Sequence, residues 1–159
     1  MSTRNAPEIR IEGVEVTPLA YHHDARGWLT EIYRADEMRL QPVMAYVSQT
    51  HPGVARGPHE HREQADVFVF MGPSNFRVYL WDNRPHSPTH GRHMRFEVGE
   101  DFPARVVVPA GVVHAYKNIG TRAGLVINCP DRLYAGAGRR EPVDEIRWED
   151  DPSGRYRLD

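Results

Sequence analysis

Residues 53–72 read GVARGPHEHREQADVFVFMG, and this stretch limits the fold more than any other in the chain. Its second half is an unbroken apolar run, Val67 to Met71, of the kind a buried strand requires. Ahead of the run stand His59 and His61. Side chains alternate faces along an extended chain, so these two point the same way. Paired imidazoles at the mouth of a buried strand can carry protons or ligate a metal. A third histidine, His114, lies in PAGVVHAYKN, residues 109–118.

The rest of the chain keeps to short strands. Residues 9–16, apolar at Ile9, Ile11, Val14 and Val16, read as a strand pair or one strand bent at Gly13. Asp24 to Gly27 suits a turn, and residues 28–33 alternate as a strand does. His22 and His23 fall in a wet loop. Residues 35–40 suit a helical turn started by Asp36 and broken by Pro42, with a strand at 43–49. Further strands are expected at 76–81, 94–98, 104–108, 113–118 and 124–128, between Gly, Pro and acidic turns. Strands about 8 to 12 residues apart, almost without helical period, predict an all-β sandwich or barrel. Residues 1–8 read as a loose polar arm, and 132–159 as a polar C-terminal segment. In that segment Arg139, Arg140 and the acidic run at 149–151 are most simply solvated charge.

Composition narrows the functional classes. A chain of 159 residues is one domain, spanning 1–159. A net charge of −2, with both signs interspersed, leaves no footprint for nucleic acid. No apolar run approaches the roughly 20 residues of a membrane helix. The first residues carry no apolar core of a signal peptide, and Cys129 stands alone as a small core residue, so the expected compartment is a reducing cytoplasm.

The two histidine segments together resemble the paired motifs of cupins. Gly53, His59, His61 and Gly72 fit the first motif, with Asp66 roughly where a Glu is usual. Pro109, Gly111, His114 and Asn118 fit the second. The implied fold is a single-domain cupin jelly roll, a double-stranded β-helix barrel holding a site inside it.

Further motifs resemble one family within that class. Asp24-x-Arg26-Gly27-Trp28-x-x-Glu31, Gln49, Arg56-Gly57-x-His59, Asp82-x-Arg84-x-x-Ser87-Pro88-Thr89-x-Gly91, the second histidine motif, Tyr134 and a late Trp-x-Asp-Asp-Pro segment are similar to dTDP-4-dehydrorhamnose 3,5-epimerases. The resemblance implies a homodimer that epimerises carbons beside the ketone of a nucleotide-linked 4-keto-6-deoxy sugar, without metal. It implies His59 as general base, with Arg26, Glu31, Gln49, Arg56 and His114 holding substrate. His61, where the family commonly has glutamine, is a further catalytic candidate, and Tyr116 and Asn128 are further candidates for substrate contact. The residue types suit the chemistry. Removing an α-proton builds an enolate, which needs a base poised near neutral pH and a donor to the oxyanion.

Three departures stand against this. The family's lysine falls near Ala65 or Asp66, and neither is a cation. Its catalytic tyrosine falls at Asn128, leaving Tyr134 either as the acid or as an aromatic plug beside Tyr116. Its aspartate partner for the base falls beyond Asp159, so the base is expected to lack its partner. The pattern predicts α-proton exchange faster than inversion of either carbon. Arg-Gly-x-His-x-His also resembles sugar 3,4-ketoisomerases. Two other readings stay open. A metal-dependent cupin would hold a divalent transition metal on His59, His61, Asp66 and His114, although Asp66 is expected to point away. A catalytically silent cupin would bind a sugar nucleotide only.

Overall fold

The structure, a computed structural model, describes residues 5–159; of the arm expected at 1–8, residues 1–4 lie outside them. In chain order the strands are β1 (Glu15–Pro18), β2 (His22–Asp24), β3 (Gly27–Leu29), β4 (Tyr46–Thr50), β5 (Ala55–Glu60) and β6 (Asp66–Phe70). They continue with β7 (Asn75–Asp82), β8 (His93–Gly99), β9 (Ala104–Val108), β10 (Val112–Asn118), β11 (Gly124–Asn128) and β12 (Ile146–Arg147). Helical geometry among the described residues is limited to short 3₁₀ turns at Ala137–Arg139 and Trp148–Asp150.

Two five-stranded antiparallel sheets, ordered β1-β9-β6-β11-β4 and β12-β5-β10-β7-β8, face each other, and β2 and β3 form a separate hairpin. Phe68, Phe70, Val106 and Val126 of the first sheet meet Phe76, Val78, Leu80 and Val112 of the second in one core. This is the jelly roll expected from the sequence.

The apolar run explains itself through β6, which lies between β9 and β11. Phe68 and Phe70 face the core, while Val67 points to the other side and packs with Met38, Val107 and Cys129. Both faces of β6 are covered, so no polar alternation survives. The cover comes from the turn expected at 35–40, where the Met38 N–H donates to the Arg34 carbonyl at 3.1 Å. Asp36 does not cap it; its carboxylate takes the Arg34 guanidinium instead.

Three strand boundaries differ from expectation. The strand expected at 43–49 runs over Tyr46–Thr50 instead. At 9–16 the ladder holds only from Glu15 onward, against β9. Ile11 and Val14 are nonetheless buried, at 1% and 4% exposure, anchored through a turn rather than a ladder. The strand expected over 28–33 stops at Leu29, because its partner β2 is three residues long. His22 and His23 are exposed as expected, but on that hairpin.

One glycine fixes the geometry that matters. Gly57 has φ +85°, and a Cβ there would lie 2.6 Å from the His114 carbonyl oxygen. Only glycine lets β5 approach β10 this closely. The register then places His59 directly opposite His114. Asn118, at the end of the second motif, is a structural staple. Its amide donates to the Thr50 and Arg122 carbonyls, and its oxygen accepts from Ser74 and Gly120.

Candidate active site

A cavity of about 920 Å³ opens between the two sheets on the side of β4 and β5, a size suited to a substrate larger than a simple sugar. The structure brings seven of the sequence-derived candidates to its wall: Arg56, His59, His61, His114, Tyr116, Asn128 and Tyr134. Gln49 does not reach it. On β4 the side chains of Tyr46, Ser48 and Thr50 share one face and Gln49 the other, though the Gln49 carbonyl accepts from Arg56 at 2.6 Å. Arg26 and Glu31 also lie outside, paired with Asp24 and Arg34.

His59 has a carboxylate on each ring nitrogen. Its Nε2 lies 2.6 Å from Glu149 Oε1, and its Nδ1 lies 3.5 Å from Glu145 Oε1. Glu145 lines the cavity and Glu149 does not, so Nδ1 is the nitrogen on the substrate side. With Nε2–H donating to Glu149, Nδ1 keeps its lone pair for an incoming proton. Burial pushes the Glu149 carboxyl up, but its own backbone N–H and His59 outweigh this and hold it below its usual range. The expectation that the base lacks a partner is therefore corrected: Glu149, in the acidic run read as solvated charge, supplies it. The reason is topological. Strand β12 pairs with β5, with Arg147 opposite His59, which brings the residues after it onto the base.

Two further contacts hold that segment down. Trp148 Nε1 donates to Glu60 Oε2 at 2.8 Å, and Glu60, 7% exposed, also accepts from Asn83. The Asp144 carboxylate accepts the backbone N–H groups of Arg62, Glu63 and Gln64, and its carbonyl accepts from His61 Nδ1.

Behind the cavity lies a second polar group. Asp66, 1% exposed, places Oδ2 3.2 Å from His61 Nε2 and 3.8 Å from His114 Nε2. Its Oδ1 accepts from Gln64 and from Asn128. The expectation that Asp66 points away is thus wrong. Asp66 points in, held by these donors, and His59 is the histidine that stands apart, drawn to Glu149 and Glu145. Ligand atoms of His61, Asp66 and His114 lie within 4.8 Å of one another, a spacing that could hold a cation.

Their protonation describes an ion pair. Burial pushes His61 down, yet hydrogen bonding and charge from Asp66 and Asp144 outweigh it and raise His61 to about 9. Burial lowers His114 to about 4, with Asp66 opposing only in part, so His114 is neutral. Its Nδ1–H donates to the Val112 carbonyl at 3.2 Å. Asp66 is pushed up by burial but held below its usual range by the charged His61, with the Asn128 amide assisting.

Tyr46, Glu145 and Glu149 were missed by sequence reasoning. Period-two alternation on β4 singles out Tyr46, since it shares a face with Ser48 and Thr50. Nothing local marks Glu149. The Asp82-x-Arg84-x-x-Ser87-Pro88-Thr89 motif lies away from the cavity. There the Asp82 carboxylate, 2% exposed, ties Arg84, Ser87 and Thr89 into one turn.

A jelly roll with histidines on its cavity wall defines a cupin-like protein. A sequence profile of the dTDP-4-dehydrorhamnose 3,5-epimerase family matches residues 8–154, and the chain belongs to that family. It is 39% identical over 127 residues to a probable low-salt glycan biosynthesis epimerase of Haloferax volcanii, covering 78% of this chain and 81% of the relative. It is 33% identical over 147 residues to the spore coat polysaccharide biosynthesis protein SpsL of Bacillus subtilis, covering 91% and 94%. Among solved structures, a dTDP sugar isomerase of Desulfovibrio desulfuricans superposes with a TM-score of 0.82 at 22% identity, over 96% of this chain and 94% of the other. A 3'-monoepimerase of Streptomyces bikiniensis, in complex with dTDP-quinovose, gives 0.74 at 23% identity, over 87% and 71%. The chain thus sits among sugar-nucleotide epimerases that serve deoxysugar and polysaccharide biosynthesis, a family that works without a cofactor.

Proposed function

We propose that this protein epimerises a nucleotide-linked 4-keto-6-deoxy sugar at a carbon beside the ketone, with His59 as the proton acceptor. The observation that carries the proposal is the His59–Glu149 contact of 2.6 Å on the wall of the cavity. Glu149 orients the ring, and the imidazolium formed when Nδ1 takes the proton lies between two carboxylates, Glu149 and Glu145. Coulomb attraction favours that cation.

The opposite charge needed for a diphosphate is also at hand. Arg56, Arg62, Arg132, Arg139 and Arg147 line the cavity, and guanidinium groups match phosphate oxygens as forks of donors. His61 and neutral His114, deeper in the wall, suit contact with the sugar. We place the chain in the cytoplasm, acting as a single domain within a homodimer. The β2–β3 hairpin supports the dimer, because it stands apart from both sheets with Trp28 and Leu29 exposed and Arg26 at its turn. Docked on a second copy, Arg26 would reach the nucleotide it cannot reach in its own chain. No helix among the described residues is long and apolar enough to cross a membrane.

The test is deuterium exchange. Incubated with dTDP-4-keto-6-deoxyglucose in D₂O, the protein incorporates deuterium beside the ketone, and His59→Asn abolishes incorporation. Incorporation that persists in the His59 variant removes His59 as the base.

A further inference from the structure

Inversion needs two groups on opposite faces of the sugar, and β4, in the sheet facing that of His59, brings a tyrosine to the cavity. Asn128 stands at the family's tyrosine position on β11. In the register of the first sheet it lies directly opposite Tyr46 of β4. The Asn128 Nδ2 donates to the Tyr46 hydroxyl at 2.9 Å and to Asp66 Oδ1 at 2.9 Å. Ionised Asp66 can only accept, which fixes the amide with its NH₂ toward both partners. The Tyr46 oxygen therefore takes a hydrogen bond from Asn128, and among the described residues no acceptor engages its own O–H. That proton is free for the cavity, which Tyr46 lines.

We propose that Tyr46 is the proton donor of the inversion, in the place that Asn128 leaves vacant. The inference rests on the epimerase reading above. His59 stands on β5 in one sheet and Tyr46 on β4 in the other, so the acid and the base approach a bound sugar from opposite walls. The competing tyrosines lack this geometry. Tyr116 rises from β10, in the same sheet as His59, and its ring is packed among Phe68, Phe70 and Phe76, with its hydroxyl at Ser48. Tyr134 lies outside any strand and is 57% exposed, with its backbone N–H donating to Met44 Sδ.

The step balances as follows. His59 Nδ1 takes the α-proton from one face, and the C–H electrons pass into the carbonyl to give the enolate. The enolate carbon then takes the Tyr46 proton on the other face as the carbonyl re-forms, leaving an imidazolium and a phenolate. Proton exchange through the cavity mouth restores both. The Asn128 N–H already aimed at the phenol oxygen stabilises the phenolate. Burial, with Asp66 nearby, keeps the phenol protonated beforehand by raising it above its ordinary value.

The experiment separates exchange from inversion. The full-length protein and its Tyr46→Phe variant are given dTDP-4-keto-6-deoxyglucose in D₂O. Mass spectrometry reads deuterium uptake, and NMR of the sugar reads configuration. The expected result is that Tyr46→Phe keeps uptake within about threefold of the parent and loses inversion by about 10²-fold or more, the range for general acid–base groups. The variant removes one oxygen from a half-exposed side chain, and circular dichroism checks that it folds. Exchange that outpaces inversion, expected of the parent from Asn128 alone, then becomes the signature of the variant. Inversion by Tyr46→Phe at the parental rate overturns the assignment, as does a loss carried instead by Tyr134→Phe. A parent that neither exchanges nor inverts sinks the epimerase reading and this donor together. Exchange and inversion in the parent with an unaffected Tyr46→Phe sink the donor alone.

Discussion

His59 Nε2 and Glu149 Oε1 lie 2.6 Å apart although 90 positions separate them in the chain. A carboxylate behind an imidazole fixes the tautomer and steadies the cation that forms on proton transfer. Replacement of Glu149 with Gln is expected to lower the turnover rate about 10–10²-fold. KM should change little, since Glu149 does not line the cavity. Steady-state kinetics of the purified variant decide the matter. A raised KM with unchanged turnover would make Glu149 a binding residue instead.

The Trp148 indole holds this carboxylate in place through Glu60. Trp148→Phe keeps the aromatic packing against Tyr156, but it strips one donor from a carboxylate that is 7% exposed. A buried acceptor left short of a partner costs about 1–3 kcal/mol. Urea denaturation should show a loss of that order. Turnover should fall with it, because the segment carrying Glu149 loosens.

What the sequence disclosed follows from the range of each interaction. The strands with strict alternation or continuous burial, such as β6, β9 and β11, are fixed by neighbours on both sides and were legible within a residue or so. The second motif located His114, and Gly57 explains why the Arg-Gly turn precedes His59. The base's partner was not legible, because a short β12 strand with no hydrophobic signature delivers Glu149 across a long separation. Asp66 was misread for a similar reason. Its direction is set by Gln64 and Asn128 together, and Asn128 lies on another strand.

The His61–Asp66 pair makes the fold sensitive to alkali. His61 is raised from 6.5 to about 9 in the folded chain, so its contribution is complete below about pH 6.5 and is lost as pH rises through 9. Asp66 is held below its ordinary 3.8, so its contribution is present above that value and is lost only as pH falls through its lower folded value. The pair therefore stabilises most between about pH 4 and 6.5. Thermal melts should show stability declining from pH 6.5 toward 9, and His61→Gln should flatten that decline. A parent with flat stability over the window would count against the ion pair.

Arg56 is held at the cavity wall by Thr50 Oγ1 at 2.9 Å and the Gln49 carbonyl at 2.6 Å, which orders its guanidinium before any ligand arrives. Arg56→Ala should weaken dTDP binding by about 1.5–3 kcal/mol, the range for a hydrogen bond to a charged group. Isothermal titration with dTDP reads this directly. Equal affinity in parent and variant would take the diphosphate away from Arg56.

The β2–β3 hairpin gives the last prediction. Trp28 and Leu29 are 55% and 61% exposed in the single chain, with Tyr21 packed edge-on against Trp28 at 4.6 Å. Large apolar side chains clustered on a projecting hairpin mark an interaction surface. Beside them, Arg26 is 90% exposed along its side chain and engages only Asp24 among the described residues. In a homodimer the aromatic pair would bury against the second copy and carry Arg26 to its cavity. Trp28→Asp should then shift the mass in light scattering from dimer to monomer and weaken dTDP binding at the same time. Arg26→Ala should weaken binding while leaving the mass of a dimer, because it removes the cation and keeps the apolar contact. A parent that is monomeric at micromolar concentration would remove the dimer. A dimeric parent whose dTDP affinity is untouched by Arg26→Ala would leave the hairpin as an assembly element with no part in the site.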